Sequence, residues 1–318
     1  MHMMMQKLVL LASVIFAICS TSATGQTFPT GPIRLVAPEP GGGADLVARI
    51  VAQGLTERLG QQALVDNRGG SAIIPAEIVA KAPPDGQVLL FCASAHWLLP
   101  LFQEVSYDPI RDYAPITLTT TSPAVIAVNP SLNVSSVKEL IALAKSRPGQ
   151  LNVASGTKGS TTYLSAELFK AEAGVDIVGI PYKGAAPALT AVVAKQVDMI
   201  VITASSVMPY AKSGKLKVLA VASPRPSVLA PGVPTTSEAG MPGFESGTVH
   251  ALFAPGRTPE RIVMRLNQEV TQYLKQPEIR EKLLGLGLDV VASSPAQLTA
   301  TVKSETERIE KMLKKIGS

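Results

Sequence analysis

A two-lobed α/β fold is predicted by three observations. Apolar strand-like runs alternate with helix-period segments along most of the 318 residues. The stretch from Ala124 to Val221 is a self-contained run of that alternation. The chain after Gly243 then opens on a further strand, which can return to the first half. Two discontinuous lobes around a cleft follow: residues 26–121 with 226–318 as lobe 1, and residues 122–225 as lobe 2. A chain of this length buries a large core and tends to divide.

Taken in order, residues 1–25 read as a signal peptide. Lys7 supplies the positive start, Leu8–Ile18 the apolar run, and Ser20–Gly25 the small-residue cleavage zone. The apolar run is too short to span a bilayer, and the bulky Ile18 before Cys19 argues against a lipid anchor. Ile33–Ala37 is the first buried strand, followed by a glycine-rich loop and a helix over Asp45–Leu59 that Gly60 terminates. Ala63–Asp66 and Val88–Ala93 are strands flanking a helix at Pro75–Lys81. After the strand Ala124–Val128 comes a helix at Ser136–Ser146, where Ser135, Ser136 and Glu139 resemble a capping box. Strands Leu151–Ala154, Ile177–Ile180, Met199–Ile202 and Leu216–Val221 alternate with helices Thr161–Ala173, Pro187–Ala194 and Ser206–Ser213. The segment from Ser223 to Gly243 is dense in Pro and Gly and reads as a loop-rich crossing between lobes. Strand Val249–Ala254 and helices Pro259–Lys275, Pro277–Leu284 and Pro295–Ile316 complete the chain, with prolines in the first turns.

Composition removes several function classes. Hydrophobic residues make up 46% and charged residues 17%, which excludes disorder. Removal of the leader takes Lys7 and no acid, leaving 28 basic against 24 acidic residues, a net charge of +4. The basic residues are dispersed and there is one tryptophan, so no nucleic-acid partner is expected. Cys92 is then the sole cysteine, inside the apolar run Val88–Ala93, and reads as a buried structural thiol. Two histidines, His96 and His250, cannot form a zinc cluster. The run Gly41-Gly42-Gly43 lacks the third glycine of a dinucleotide fingerprint, Lys158 precedes the second glycine of a phosphate-loop pattern, and no G-x-S-x-G elbow occurs. No enzyme, cofactor or metal is expected.

Binding signals are clearer. Pro40, Gly41, Gly42, Gly43 and Asp45 lie between a strand and a helix, where bare N–H groups can receive an anion. Ser155, Gly156, Thr157, Ser160 and Thr161 form a second such loop, rich in hydroxyl donors. One loop of this kind is ordinarily a cap; one in each half suggests a ligand clamp.

The chain resembles the periplasmic substrate-binding proteins of tripartite tricarboxylate transporters, the Bug or TctC family. The likeness runs from about Pro32 to the C-terminus. Its residues are Pro32–Val36, Gly41-Gly42 with Asp45, Leu59-Gly60-Gln61 before Val65–Arg68, Ala82–Gly86, Tyr107-Asp108-Pro109 and Val128-Asn129-Pro130. Later matches are Ile180–Gly184, Gln196-Val197-Asp198, Gly214-Lys215-Leu216 and Val233-Pro234-Thr235. The resemblance implies a type II-like periplasmic-binding-protein fold, with a hinge and an interlobe cleft that closes on a small carboxylate. It implies that Pro38–Asp45 and Ser155–Thr162 hold one carboxylate, that membrane subunits of a transporter are the partners, and that the protein is periplasmic. A monomer is expected.

Departures from the family pattern bear on the ligand. Many members carry an Asp-Asn pair where this chain has Ile202 and Thr203, which argues against an amino acid. Ser94-Ala95-His96-Trp97 leaves the end of a strand, so Trp97 can supply a flat wall and His96 a donor. His250 is a further candidate, with a satisfied core position as the competing reading. The resulting expectation is an aromatic dicarboxylate of the phthalate type, walled by Trp97, Ile74 and Ile202. An aliphatic di- or tricarboxylate receptor, a sensing module and, last, an exported hydrolase stay open.

Overall fold

In a computed structural model, residues 28–38, 43–68, 72–156 and 160–316 are described. The expected signal peptide and the candidate residues Pro40, Gly41, Gly42 and Thr157 lie outside those residues. Residues from Gly31 onward form one compact unit.

Its frame is a sheet of ten described strands, β1 (Ile33–Ala37), β2 (Ala63–Asn67), β3 (Val88–Ala93), β4 (Tyr113–Val128), β5 (Asn152–Ser155), β6 (Val178–Pro181), β7 (Met199–Thr203), β8 (Lys217–Val221), β9 (Gly247–Pro255) and β10 (Asp289–Val290), in the order β2-β1-β3-β9-β4-β7-β5-β6, with β8 and β10 also paired to β4. Two parallel blocks face each other along that order. The first comprises β1 (Ile33–Ala37), β2 (Ala63–Asn67) and β3 (Val88–Ala93), with β1 in the middle. The second comprises β5 (Asn152–Ser155), β6 (Val178–Pro181) and β7 (Met199–Thr203), with β5 in the middle. Each central strand is buried except at one position, the exposed Arg34 in β1 and the half-buried Asn152 in β5, as suits parallel strands covered on both faces. The two glycine-rich loops therefore leave equivalent strands, at the carboxyl ends where α/β sheets bind ligands.

Antiparallel strands join the blocks. β4 (Tyr113–Val128) is 16 residues long. Its first part pairs with β9 (Gly247–Pro255) and β10 (Asp289–Val290); from Ala124 on it pairs with β7 and β8 (Lys217–Val221). At the change of partner the chain crosses itself. The N–H of Ala124 donates to Ser246 O, that of Ser246 to Ala222 O, and that of Ala222 to Ala124 O, at 2.8–3.1 Å. Gly247 is required here, because a Cβ would lie 2.6 Å from the Ser122 carbonyl oxygen.

Helices cover the sheet: α1 (Gly43–Leu59), α2 (Ile73–Ala80), α3 (Ala95–Leu98), α4 (Val137–Ser146), α5 (Thr161–Ala173), α6 (Ala185–Val193), α7 (Ala204–Lys212), α8 (Glu260–Leu274), α9 (Pro277–Gly285) and α10 (Pro295–Ile316). α4 begins as its sequence signals: Ser136 Oγ accepts from Glu139 N at 3.1 Å and the Glu139 carboxylate accepts from Ser135 N at 2.8 Å. α10 buries Leu298, Val302 and Ile309, a stripe in which Glu305 also stands.

Three elements depart from the sequence expectation. β4 begins eleven residues before the expected Ala124, α3 is an added turn after β3, and β10 is an added short strand. The polar look of Thr117–Ser122 hides the strand: Thr117, Thr119 and Thr120 are buried, and the hydroxyls of Thr117 and Thr119 donate to Ser293 O and His250 O at 2.8 and 3.1 Å.

Candidate functional site

The second block builds a site from three helix starts. α5 follows β5, α6 follows β6 and α7 follows β7. All three begin at one cavity of about 300 Å³. Gly156, Ser160, Thr161, Thr162 and Ser165 line it from the β5–α5 loop and α5; Gly184 and Ala185 from the start of α6; Ile202 and Thr203 from the end of β7. Ala124, Gly247 and Thr248 of the chain crossing complete the wall. No charged side chain is among these residues. Six hydroxyls are: Ser160, Thr161, Thr162, Ser165, Thr203 and Thr248.

Local chemistry explains the arrangement. Ser160 caps α5, accepting from Tyr163 N at 3.2 Å. A Cβ on Gly156 would lie 2.1 Å from Ser160 Oγ, so a larger residue there would push against the cap. α6 and α7 carry no side-chain cap on their first-turn N–H groups. At α7 the Thr203 hydroxyl instead pairs with Ser206 Oγ at 3.0 Å. Uncapped N–H groups with the positive ends of helix dipoles favour an anion, and neutral donors can hold a carboxylate without a buried cation.

The remaining sequence-derived candidates fall elsewhere. Ser155 ends β5 and is buried, its hydroxyl 3.3 Å from the Gly156 carbonyl. Asp45 is buried in the first turn of α1, accepting from Arg49 Nε at 3.1 Å and from Asn67 Nδ2 at 2.9 Å. Asn67 Nδ2 also donates to Pro38 O at 2.8 Å. This network clamps both ends of the first glycine loop to β2, which is a positioning role.

The expected cleft placement of His96 and Trp97 is corrected. Both are in the core, about 1% exposed. The His96 ring stacks on Tyr107 at 4.9 Å and meets the edge of Tyr113 at 4.6 Å. Neither ring nitrogen has a hydrogen-bond partner, and burial pushes the imidazole down to about 3. Trp97 donates its indole N–H to Glu305 at 2.8 Å, and burial raises that carboxyl. The turn α3 folds the pair back under α10 instead of letting it run on from the strand end. His250 likewise does not line the cavity. It is buried on β9, 3.0 Å from Thr120 Oγ1, and burial pushes it down to about 4. Of the expected ring walls, Ile202 lines the cavity; Ile74 on α2 is exposed.

Thr162, the last residue of the expected Ser155–Thr162 loop, lines the cavity; residues the sequence reading missed are Gly184, Ala185, Ser165, Ala124, Gly247 and Thr248. Gly184 had a signal, the run Ile180–Gly184; the crossing residues had none, because their neighbours are distant in sequence. A larger cavity, about 640 Å³, lies on the other face of the crossing, lined among others by Arg225, Arg308, Glu245, Glu305 and Asp289. Mixed charges and the absence of converging helix starts make it the weaker candidate despite its size.

The chain matches the family model described as tripartite tricarboxylate transporter family receptor over residues 47–318. It is 36% identical over 310 residues to the UPF0065 protein in the tcbD-tcbE intergenic region of Pseudomonas sp. strain P51, covering 95% of this chain and 92% of that one. Among solved structures it is similar to R. palustris Rpa4515 with adipate, with a TM-score of 0.77, 34% identity, and 91% and 98% of the two chains covered. It is also similar to MatC from Rhodopseudomonas palustris with bound malate, with a TM-score of 0.74, 33% identity, and 90% and 99% covered.

Proposed function

The chain belongs to the tripartite tricarboxylate transporter receptor family, and from that membership we propose that it captures a small dicarboxylate in the cavity at the starts of α5, α6 and α7. Receptors of this family are binding proteins of the periplasm and not enzymes. The observation that carries the reading is the convergence of three helix starts and six hydroxyls on one cavity, with no charged side chain among the described residues of its wall. Gly156, Ser160, Thr161 and Thr203 would hold one carboxylate, with Thr157 and the loop Pro40–Gly43 completing the clamp from either side.

Lobe 1 would comprise residues 26–121 and 226–318 and lobe 2 residues 122–225, hinged where β4 changes partner. Binding would close the lobes. The leader would be cleaved, and the monomeric, loaded form would be handed to transporter membrane subunits. Adipate and malate in two similar structures favour an aliphatic diacid. An aromatic diacid of the phthalate type is a second reading: Ile202 offers it an apolar wall, but Trp97 does not. The lack of an acid among the described wall residues disfavours an amino acid, whose ammonium would find no partner among them.

Calorimetry with adipate, malate, phthalate, terephthalate and glutamate decides among these. Binding of a diacid with no heat from glutamate supports the reading, and the tighter of the aliphatic or aromatic pairs selects the class. Tight glutamate binding with no response to any diacid would overturn it.

A further inference from the structure

One hydroxyl pair joins the wall of the small cavity to that of the larger groove. Ser165, on α5, lines the cavity, and Ser246 lines the groove. Their Oγ atoms are 2.6 Å apart. Ser165 Oγ also lies 2.9 Å from the carbonyl oxygen of Thr161, which has no hydrogen to give. The single Ser165 proton is spent on that carbonyl, so Ser246 is the donor in the pair. The result is a directed chain, Ser246 to Ser165 to Thr161, ending on the first turn of a helix whose start lines the cavity.

Ser246 also sits at the centre of the crossing. Its N–H donates to Ala222 O at 3.1 Å and its carbonyl accepts from Ala124 N at 2.8 Å. The preceding carbonyl, of Glu245, accepts from the Arg308 guanidinium of α10. One turn earlier on that helix, Glu305 accepts from the Trp97 indole at 2.8 Å. The same residue thus touches the cavity wall, both crossing segments and, through its neighbour, the C-terminal helix.

We propose that Ser246 is a positioning residue for ligand capture, its hydroxyl tying occupancy of the cavity to the chain crossing, to α10 and to Trp97. This rests on the receptor reading above. It concerns how a bound acid is communicated and not which acid binds.

Trp97 is the chain's single tryptophan, so its emission reports on this route. Adipate and phthalate are titrated into the wild type, Ser246→Ala, Ser165→Ala and the double variant, by calorimetry and by fluorescence. In the wild type, binding shifts the emission. In Ser246→Ala the affinity falls about tenfold, the value of one hydrogen bond, and the emission response is lost, with the unfolding temperature moved by no more than about 2 °C. The double variant binds no worse than Ser165→Ala, the mark of coupled residues. A full emission response in Ser246→Ala, or additive losses in the double variant, overturns the proposal. If no diacid of the calorimetric panel binds the wild type, the dicarboxylate reading has failed, and the coupling is read from the ligand-free proteins by hydrogen exchange. Faster exchange in Ser246→Ala at both the α5 first turn and the crossing supports it, and exchange confined to the crossing refutes it.

Discussion

Gly184 caps α6 at φ 113°, ψ 171°, a region that is nearly exclusive to glycine. The motif Tyr182-Lys183-Gly184 therefore ends in glycine because the chain must turn into a helix there while leaving the first-turn N–H groups bare. Gly184→Ala is expected to cost about 1–3 kcal/mol in stability and to weaken binding of the acid identified by calorimetry. Gly174→Ala is the control: it sits at φ 60° at the far end of α5, so thermal unfolding should register its loss while affinity stays unchanged. Equal affinity in both variants would remove Gly184 from the site. At this scale the sequence marks which glycines occur in the site loops, but not the dihedral angle that makes one of them irreplaceable. His96 and Trp97 teach the complementary lesson. Their position after a strand looked like a cleft edge, yet a four-residue helical turn rotates both into the core, where neighbours from β9 and α10 claim them.

Among the elements, α1 and α8 show how closely the helices are fitted. Gly54 faces Tyr273, and a Cβ there would come within 2.3 Å of the ring. Gly54→Ala would ordinarily favour a helix by about 1 kcal/mol. Here overpacking should outweigh the propensity and leave a net loss of about 1–2 kcal/mol, measured as a fall in the urea midpoint. A stabilised variant would show that α8 can move away freely. Helix starts were legible where a side chain does the capping, as at Ser136 and Ser160, because the signal lies within four residues. β4 was legible in its apolar half only. Its threonines pair with β9, more than a hundred residues later, and no local pattern encodes that partnership.

For the molecule as a whole, two buried histidines set an acid limit. His96 and His250 are depressed to about 3 and about 4 by burial, whereas the unfolded chain would titrate both near 6.5. Between those values the unfolded state binds more protons, so stability is complete above pH 6.5 and falls as the pH drops toward 3. Each histidine should remove about 2 kcal/mol between pH 6.5 and 5. Denaturant unfolding at several pH values should show the slope, and His96→Phe should remove about half of it; an unchanged slope would mean His96 reaches water when protonated. The sequence by itself determined the α/β alternation, the two glycine-rich loops and the kinship to a receptor family, because these follow from local periodicity, composition and motif. Only the tertiary structure decided that α6 and α7 join α5 at one cavity, that the chain crossing forms its floor, and that His96 and Trp97 belong to the core. Those facts depend on which distant segments pair across β4, and strand pairing is a long-range energy that no short stretch of chain records.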